Sequence, residues 1–287
     1  GNLEAVPLSL IGASYAVAAF PALSETSNVE KRSEFTSILS ASARHIILWS
    51  VVSIGLIAVL RAHIVRVILG TGAFDWDATR LTAALLIILA VGLVAQGLVL
   101  LFSRALYAVR QSWRPFFYQL AGSALTVFLA VTFLALPTTG FLSSFAGFLK
   151  VGDVRGTGIL FIALAATLGQ LFLVLLSLLA LRSVAPGLGR TLVRPFIDGG
   201  VAALAGGAVA YTALAFLGGI APLTTLLAVF TEGFIAGLLG LVAAALALYV
   251  VENEEFRIVV SALDKIIKTH TGRSALLAPS AEEPLQP

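Results

Sequence analysis

Long apolar runs are the feature that most constrains how this chain can fold. Runs of about 20 residues with few charges match the length of an α-helix that crosses the hydrocarbon core of a bilayer. The chain has seven: Ala5–Leu23, Ile46–Leu60 with a start extended to about Ile38, Leu81–Ser103, Phe116–Leu136, Gly156–Leu181, Gly199–Leu217 and a last run that ends at Val251. The runs do not alternate and are about twice as long as a barrel strand. They predict an all-α integral membrane protein, a polytopic bundle of about seven transmembrane helices.

Composition supports this class and excludes several others. Hydrophobic residues make up 59% of the chain and charged residues 11%, against about 25% charged residues in soluble domains. The absence of cysteine excludes thiolate metal sites, and His45, His63 and His270 lie too far apart in sequence to suggest a metal centre. No His-Glu-x-x-His or Gly-x-Ser-x-Gly motif occurs. We therefore predict no enzyme activity, no cofactor, no metal and, because no basic stripe occurs, no nucleic-acid partner.

The distribution of lysine and arginine predicts how the spans are oriented. Five of these residues fall on one side of the predicted membrane: Arg61, Arg66, Arg80, Lys150 and Arg155. Thirteen fall on the other: Lys31, Arg32, Arg44, Arg104, Arg110, Arg114, Arg182, Arg190, Arg194, Arg257, Lys265, Lys268 and Arg273. By the positive-inside rule the richer side is cytoplasmic. This arrangement predicts an outer N-terminus, a cytoplasmic C-terminus and an outer position for the segment ILGTGAFDWDATR.

The runs divide the chain into four parts. Residues 1–198 are predicted to form a bundle of five spans, and 199–251 to add two membrane helices. Residues 252–273 are predicted to form an amphipathic helix on the cytoplasmic interface. The remaining residues, 274–287, are predicted to form a disordered tail. The apolar residues at helical spacing in the third part are Phe256, Val259, Val260, Leu263, Ile266 and Ile267.

The last two spans carry further signals. Small residues recur every four positions, which predicts close packing of these two helices. They are Gly199, Ala203 and Gly207 in one span and Gly233 and Gly237 in the other. Glu232 is a candidate intramembrane acid: it lies at the interface if the last helix begins at Gly233, and about 12 Å deep if that helix begins at Thr224. The first alternative is favoured because Gly233 to Val251 already makes a full span.

Polar residues within the spans are candidates for a substrate cavity, because polar groups in lipid need partners. Arg44 begins the second span with no acid within one helical turn, so it either extends to the interface or faces a cavity that binds an anionic lipid head. Gln96 and Gln119 lie within spans and either form hydrogen bonds between helices or line the cavity. In the outer segment, Gly72 and Phe74 are predicted to form a turn or a gate, followed by a helix capped by Asp75 or Asp77.

Five segments, in this order, resemble the MurJ/MviN lipid II flippases of bacterial peptidoglycan synthesis. NLEAVPLSLIGASYAVAAFPALS resembles the family segment in which Leu-Pro-x-Gly-x-x-Gly leads to Pro-x-Leu-Ser. EFTSILSASARHIILW and ILGTGAFDWDATRLTA are similar to a Glu-Phe helix start and to a Gly-x-Phe turn. RALYAVRQSWRP and VRGTGILFIALAATLGQ resemble the Arg-Ala-Phe-Tyr-Ala loop and the Gly-Leu-Ala-Leu-Ala helix after it. The likeness covers about residues 2–186.

The resemblance implies the C-terminal half of a fourteen-helix flippase in the bacterial inner membrane, preceded by an N-terminal lobe. The family has two lobes around a cationic cavity, and the sixth and seventh spans here would form its groove for the lipid tail. The implied substrate is lipid II, which is moved to the outer leaflet by alternating access. Asn2 replaces a cavity arginine of the family, and Leu100 replaces a lysine. The alternatives are a flippase for another polyprenyl-linked saccharide and a non-transporting scaffold in cell-wall synthesis.

Overall fold

The part of the chain that the structure describes consists mainly of helices. This computed structural model describes residues 8–69, 76–135, 140–154, 156–218, 225–262 and 264. A π-helical turn, Leu8–Ala13, precedes α1 (Ser14–Glu25), and a 3₁₀ turn, Val29–Lys31, precedes α2 (Arg32–Leu69). The helices α3 (Trp76–Ala108), α4 (Trp113–Ala135), α5 (Phe141–Phe148), α6 (Gly158–Leu181), α7 (Leu188–Thr191), α8 (Val193–Leu217) and α9 (Leu226–Val250) follow. Residues 254–262 form α10. No strand occurs in these ranges, which confirms the all-α class.

Six helices of the described chain are long and apolar enough to cross a membrane: α2 with its preceding turn, α3, α4, α6, α8 with α7, and α9. They correspond to the second through seventh predicted spans. The first predicted span, Ala5–Leu23, begins outside the described residues, and its described part contains the π-helical turn and most of α1. The polytopic membrane bundle is confirmed, with six of the about seven predicted spans found by length and composition.

The helix α2 is longer than its apolar run predicts. Its 38 residues extend about 57 Å at 1.5 Å per residue, well beyond the roughly 30 Å hydrocarbon core. The half that precedes Ile46 packs through Phe35, Leu39 and Ala43 against α1, α3 and the end of α6. This contact gives that end of the bundle a protein core of its own.

The helices α2, α8 and α9 form a tightly packed group. A side chain at Gly206 would place its Cβ 2.6 Å from the Gly240 carbonyl oxygen, so the backbones of α8 and α9 are in direct contact there. The small residues Gly199 and Gly207 face α2 instead, and so do Gly233 and Gly237. Close packing of the last two helices is therefore observed, but the predicted small residues do not form it.

The short helices α5 and α10 lie at opposite ends of the long ones. α5 lies in the connection between α4 and α6, where the sequence predicted no helix, and an adjacent cluster of Val151, Val154 and Leu160 packs against Ala84 and Ile88 of α3. At the other end, α10 occupies the first part of the predicted amphipathic segment. The rest of that segment and the predicted tail, 274–287, lie outside the described residues except for residue 264.

Candidate functional site

The N-terminal parts of α2, α8 and α10 meet in a cluster of charged side chains. Arg44 Nη2 lies 2.6 Å from Glu254 Oε2, and Arg44 Nε donates to Glu255 Oε1. The Glu255 side chain is only 5% exposed, whereas that of Glu254 is 61% exposed. Both acids follow Arg44 by more than 200 residues, so the search for an acid within one helical turn could not find them. Arg44 is thus an anchor for α10 in this structure; whether it also contacts a substrate stays a prediction.

A second contact fastens α10 to α8. Asn253 Nδ2 donates to Asp198 Oδ2 over 2.8 Å, and Asn253 Oδ1 accepts from the Phe256 backbone N–H, as an N-cap does. Asp198 and Asn253 are both buried, and Arg194 lies 3.7 Å from the Asp198 carboxylate. Sequence reasoning missed both residues, although Asn253 directly before a helical pattern is a recognisable cap signal.

The charges of the cluster influence one another. The hydrogen bond from the Arg44 guanidinium holds the pKa of the Glu254 carboxyl below its usual range. An ionised carboxylate at this position keeps the ion pair intact at neutral pH. The ring of Phe256, which follows the two acids, contacts Trp49 of α2 at a centroid distance of 6.5 Å. The cluster therefore combines ion pairs, a helix cap and an aromatic contact at one end of the bundle.

The two glutamines predicted for a substrate cavity lie on different helices. Gln96 is half-buried on α3, next to Gly92, which faces Thr167 of α6. Gln119 is exposed on α4. No hydrogen bond or ion pair connects Arg44, Gln96 and Gln119 within the described ranges, and Asn2 lies outside them. The described residues therefore give no shared site for Arg44, Gln96 and Gln119, and the substrate contacts of all four residues stay predictions.

An apolar cleft opens between α2, α3, α6 and the start of α8. It holds about 340 Å³ and runs along the half of the bundle that contains Arg44. Hydrocarbon side chains and one glycine line it: Val51, Ile54, Val91, Val94, Ala95, Leu98, Leu171, Val174, Leu178, Gly189, Leu192, Val193 and Phe196. Such a cleft can hold a hydrocarbon chain but offers no hydrogen-bonding partner for a polar head.

At the opposite end of the bundle, an ion pair of Arg80 links two segments of the chain. Arg80, in the first turns of α3, donates to both carboxylate oxygens of Asp153 at 2.8 Å and also to the Lys150 carbonyl. Asp77 lies in the first turn of α3 rather than at its cap, so that part of the capping prediction is wrong. Gly72, Phe74 and Asp75 lie outside the described residues, and the turn or gate stays a prediction.

Glu232 lies inside the last membrane helix. The favoured start of that helix at Gly233 is wrong, because α9 begins at Leu226 after Thr225, whose side chain accepts from the Ala228 backbone N–H. Six residues at about 1.5 Å each place Glu232 about 9 Å along the helix. Its side chain is 8% exposed, and its Oε2 lies 3.7 Å from Nε2 of His63 on α2. Glu232 does not end the helix, since its side chain faces protein instead of lipid.

Comparison with known proteins identifies the family. Residues 3–231 match the family model described as lipid II flippase MurJ. The chain belongs to the MurJ family. No curated protein and no solved structure matches it. Because the match covers the π-helical turn through the first turns of α9, it includes the apolar cleft and Arg44, while α10 follows it.

Membership of the MurJ family indicates the class of protein and the kind of membrane to which this chain belongs. MurJ proteins are lipid II flippases, which are transporters, and the six long apolar helices fit a protein of the bacterial inner membrane. The described residues contain no group of three or more His, Asp or Glu side chains that could hold a metal ion.

Proposed function

We propose that this chain is one lobe of a carrier that moves lipid II, an undecaprenyl-pyrophosphate-linked saccharide, from the cytoplasmic to the outer leaflet by alternating access. The match of residues 3–231 to the lipid II flippase model is the observation that carries this proposal. The proposed orientation, with the Arg44 cluster in the cytoplasm and Arg80 outside, follows the excess of lysine and arginine on one side.

In this proposal the apolar cleft between α2, α3, α6 and α8 receives the polyprenyl tail. A tail that leaves the bilayer for this cleft gains little from the hydrophobic effect, because both environments are apolar. The cleft instead keeps the tail in apolar surroundings while the head crosses. Its position beside the cytoplasmic end in the proposed orientation suits a substrate that enters from the inner leaflet.

The polar head requires a different surface. A pyrophosphate binds most strongly to fixed cations that are not already neutralised, and Arg44 is occupied by Glu254 and Glu255. Asn2 cannot supply a charge either. We therefore assign the head-binding cations to a cavity completed by a second lobe, and expect that this chain reconstituted alone does not flip lipid II in proteoliposomes. Flipping by this chain alone would overturn the two-lobe proposal.

A photo-cross-linking experiment tests the substrate. The chain is placed in lipid nanodiscs with a lipid II analogue that carries a photoreactive group in its polyprenyl tail. Cross-links are expected at cleft residues such as Val91 and Leu171, and unlabelled lipid II is expected to remove them. If an undecaprenyl-linked saccharide that lacks the peptide of lipid II also removes the cross-links, the alternative of a flippase for another polyprenyl-linked saccharide is favoured.

Matched substitutions locate the tail. Val91→Trp fills the cleft from a residue that is 43% exposed, and Val131→Trp adds the same bulk on α4 at a residue that is 63% exposed. Only Val91→Trp is expected to reduce the labelling. If phosphatidylglycerol competes as well as lipid II does, or if both variants label equally, the cleft does not bind the substrate. The scaffold alternative then becomes the better explanation of the fold.

A further inference from the structure

The buried pair of His63 and Glu232 serves no part of the proposed lipid path. The two side chains face each other from α2 and α9, and only 18% and 8% of their surfaces are exposed. Their closest polar atoms, Nε2 and Oε2, are 3.7 Å apart, which is too long for a hydrogen bond. Within the described chain, buried Glu232 Oε2 and His63 Nδ1 have no hydrogen-bond partner.

The pair lies close to one boundary of the apolar layer. His63 follows Arg44 by nineteen residues on the continuous helix α2, which is about 28 Å at 1.5 Å per residue. Arg44 marks the opposite boundary, and the hydrocarbon core is about 30 Å thick. An unpaired carboxylate here, within protein and near the edge of the layer, is costly but can exchange protons with nearby water.

Two glycines create the space that the pair occupies. A Cβ at Gly233 would lie 3.1 Å from His63 Cβ, and a Cβ at Gly218 would lie 3.0 Å from Glu232 Oε1. The backbone of α9 therefore lies close to the His63 side chain, and the backbone directly after α8 lies close to the Glu232 carboxylate. An apolar pocket of about 220 Å³, lined by His63, Leu60 and Phe234 among others, adjoins the imidazole.

Few other charges reach the pair. On α2, Arg61 donates to the Ala58 carbonyl and Arg66 lies about one turn beyond His63. The neighbouring helix α3 carries Asp77 and Arg80, which pair with each other and, through Arg80, with Asp153. The described parts of α8 after Asp198 and of α9 add no charged residue besides Glu232, and their tyrosines are exposed.

We propose that His63 and Glu232 form a proton-binding site. A proton from the solvent adds to Nε2 of the neutral imidazole, and the product is an imidazolium beside the Glu232 carboxylate. Proton release leaves a single uncompensated negative charge between α2 and α9. Uptake and release thus change the attraction between these two helices, and this property of the chain does not depend on which saccharide is carried.

The test follows the protonation of His63 directly. The chain is labelled with ¹⁵N-histidine and placed in lipid nanodiscs in a sodium-free choline buffer, and imidazole ¹⁵N shifts are recorded between about pH 5 and pH 8. The His63→Gln variant assigns the signal. His63 is expected to take up a proton in this range. In Glu232→Gln the imidazolium signal at a given pH is expected to weaken, because the carboxylate that favours the charged ring is gone.

Controls separate the site from a general effect. Glu252→Gln removes an exposed acid beyond the far end of α9 and is expected to leave the His63 signal unchanged. If Glu232→Gln does not fold, infrared detection of the Glu232 carboxyl in the wild type and in His63→Gln provides the second readout, and the two spectra are expected to differ across the same pH series.

Three results would overturn the proposal. His63 would show no protonation change in this range, or the same change with and without Glu232, or loss of the change when sodium replaces choline. The last result would identify a sodium site. None of these measurements uses lipid II, so they remain separate from the test of the transport proposal.

Discussion

At the residue scale, Arg44 shows how a buried ionic contact depends on both partners. The Arg44 side chain is 27% exposed and that of Glu255 is 5% exposed, so Glu255 depends on Arg44 more than Arg44 depends on any one acid. Taking a carboxylate out of water is compensated only while a cation and hydrogen bonds remain in place. Removing the arginine would leave the buried acid alone.

We therefore expect Arg44→Gln to destabilise the protein by about 1–3 kcal/mol, the cost of leaving a buried polar group without a partner. Thermal unfolding in detergent measures the change, and limited proteolysis after Glu252 shows whether α10 is released. Glu254→Gln serves as the matched control and should change little, because that carboxylate is largely exposed. The double variant Arg44→Gln with Glu255→Gln should recover part of the loss; equal destabilisation by Glu254→Gln would contradict this account.

Sequence reasoning found Arg44 but could not find its partners. The search used helical spacing, which relates residues three or four positions apart, whereas Glu255 follows Arg44 by 211 positions. The same limit applies to Asp198 and Asn253, which are 55 positions apart. Contacts between distant segments depend on how helices pack, and hydropathy carries no information about them.

At the element scale, the contact of α8 with α9 depends on two glycines. A Cβ at Gly206 would lie 2.6 Å from the Gly240 carbonyl oxygen and 3.0 Å from the Ala244 Cβ. Neither is the far end of a flexible side chain, so the helices would have to separate. Gly200, on the same helix, has no atom within 4 Å of an added Cβ.

Gly206→Ala is expected to destabilise the protein by about 1–3 kcal/mol through overpacking. Gly200→Ala should be neutral or stabilise it by up to about 1 kcal/mol, because alanine is the better helix former. Unfolding of both variants in the same detergent gives the comparison. Equal stabilities of the two variants would mean that α8 and α9 do not touch at Gly206.

The tether of the α5 segment to α3 is expected to depend on pH. Hydrogen bonding from Arg80 lowers the pKa of the Asp153 carboxyl from its ordinary value of 3.8. A lowered folded-state pKa means that the tether is fully present above pH 3.8 and is lost as the pH falls through the lower folded-state value. A spin label on Ser143→Cys should therefore gain mobility only in strong acid.

Arg80→Gln should make the same label mobile at every pH. Asp77→Asn is the control, because Asp77 Oδ1 lies 3.6 Å from Arg80 Nη1, whereas Asp153 Oδ1 lies 2.8 Å from Arg80 Nη2. The label on residue 143 of this variant should behave like that of the wild type. An immobile label in Arg80→Gln would show that apolar packing alone holds the segment.

The long helices were predictable because the thickness of a bilayer fixes their length and composition. Their ends were not. α9 continues seven residues before Gly233 because Glu232 faces His63, and α2 continues before Ile46 because Phe35 and Leu39 pack on other helices. A charge or a weaker apolar run ends a span only when that face meets lipid.

At the scale of the whole molecule, the contacts define the relative directions of three helices. Gly199 and Gly207 of α8 meet Val51 and Val59 of α2 in the same order, so these two helices are parallel. Along α9 the order is reversed, since Gly233 meets His63 and Gly240 meets Leu56. These directions agree with alternating crossings of a membrane, while the absolute orientation depends on the lysine and arginine count.

Cysteine labelling tests that orientation without background, because the chain contains no cysteine. Ser143 and Ser261 are exposed at opposite ends of the bundle. In intact spheroplasts, a membrane-impermeant maleimide is expected to label Ser143→Cys and to spare Ser261→Cys until the membrane is permeabilised. The reason is that thirteen of the eighteen lysines and arginines would otherwise lie outside, against the positive-inside rule. The reverse labelling pattern would place the Arg44 cluster outside and the His63–Glu232 pair near the cytoplasm, and lipid entry would then have to be assigned to the other end of the bundle.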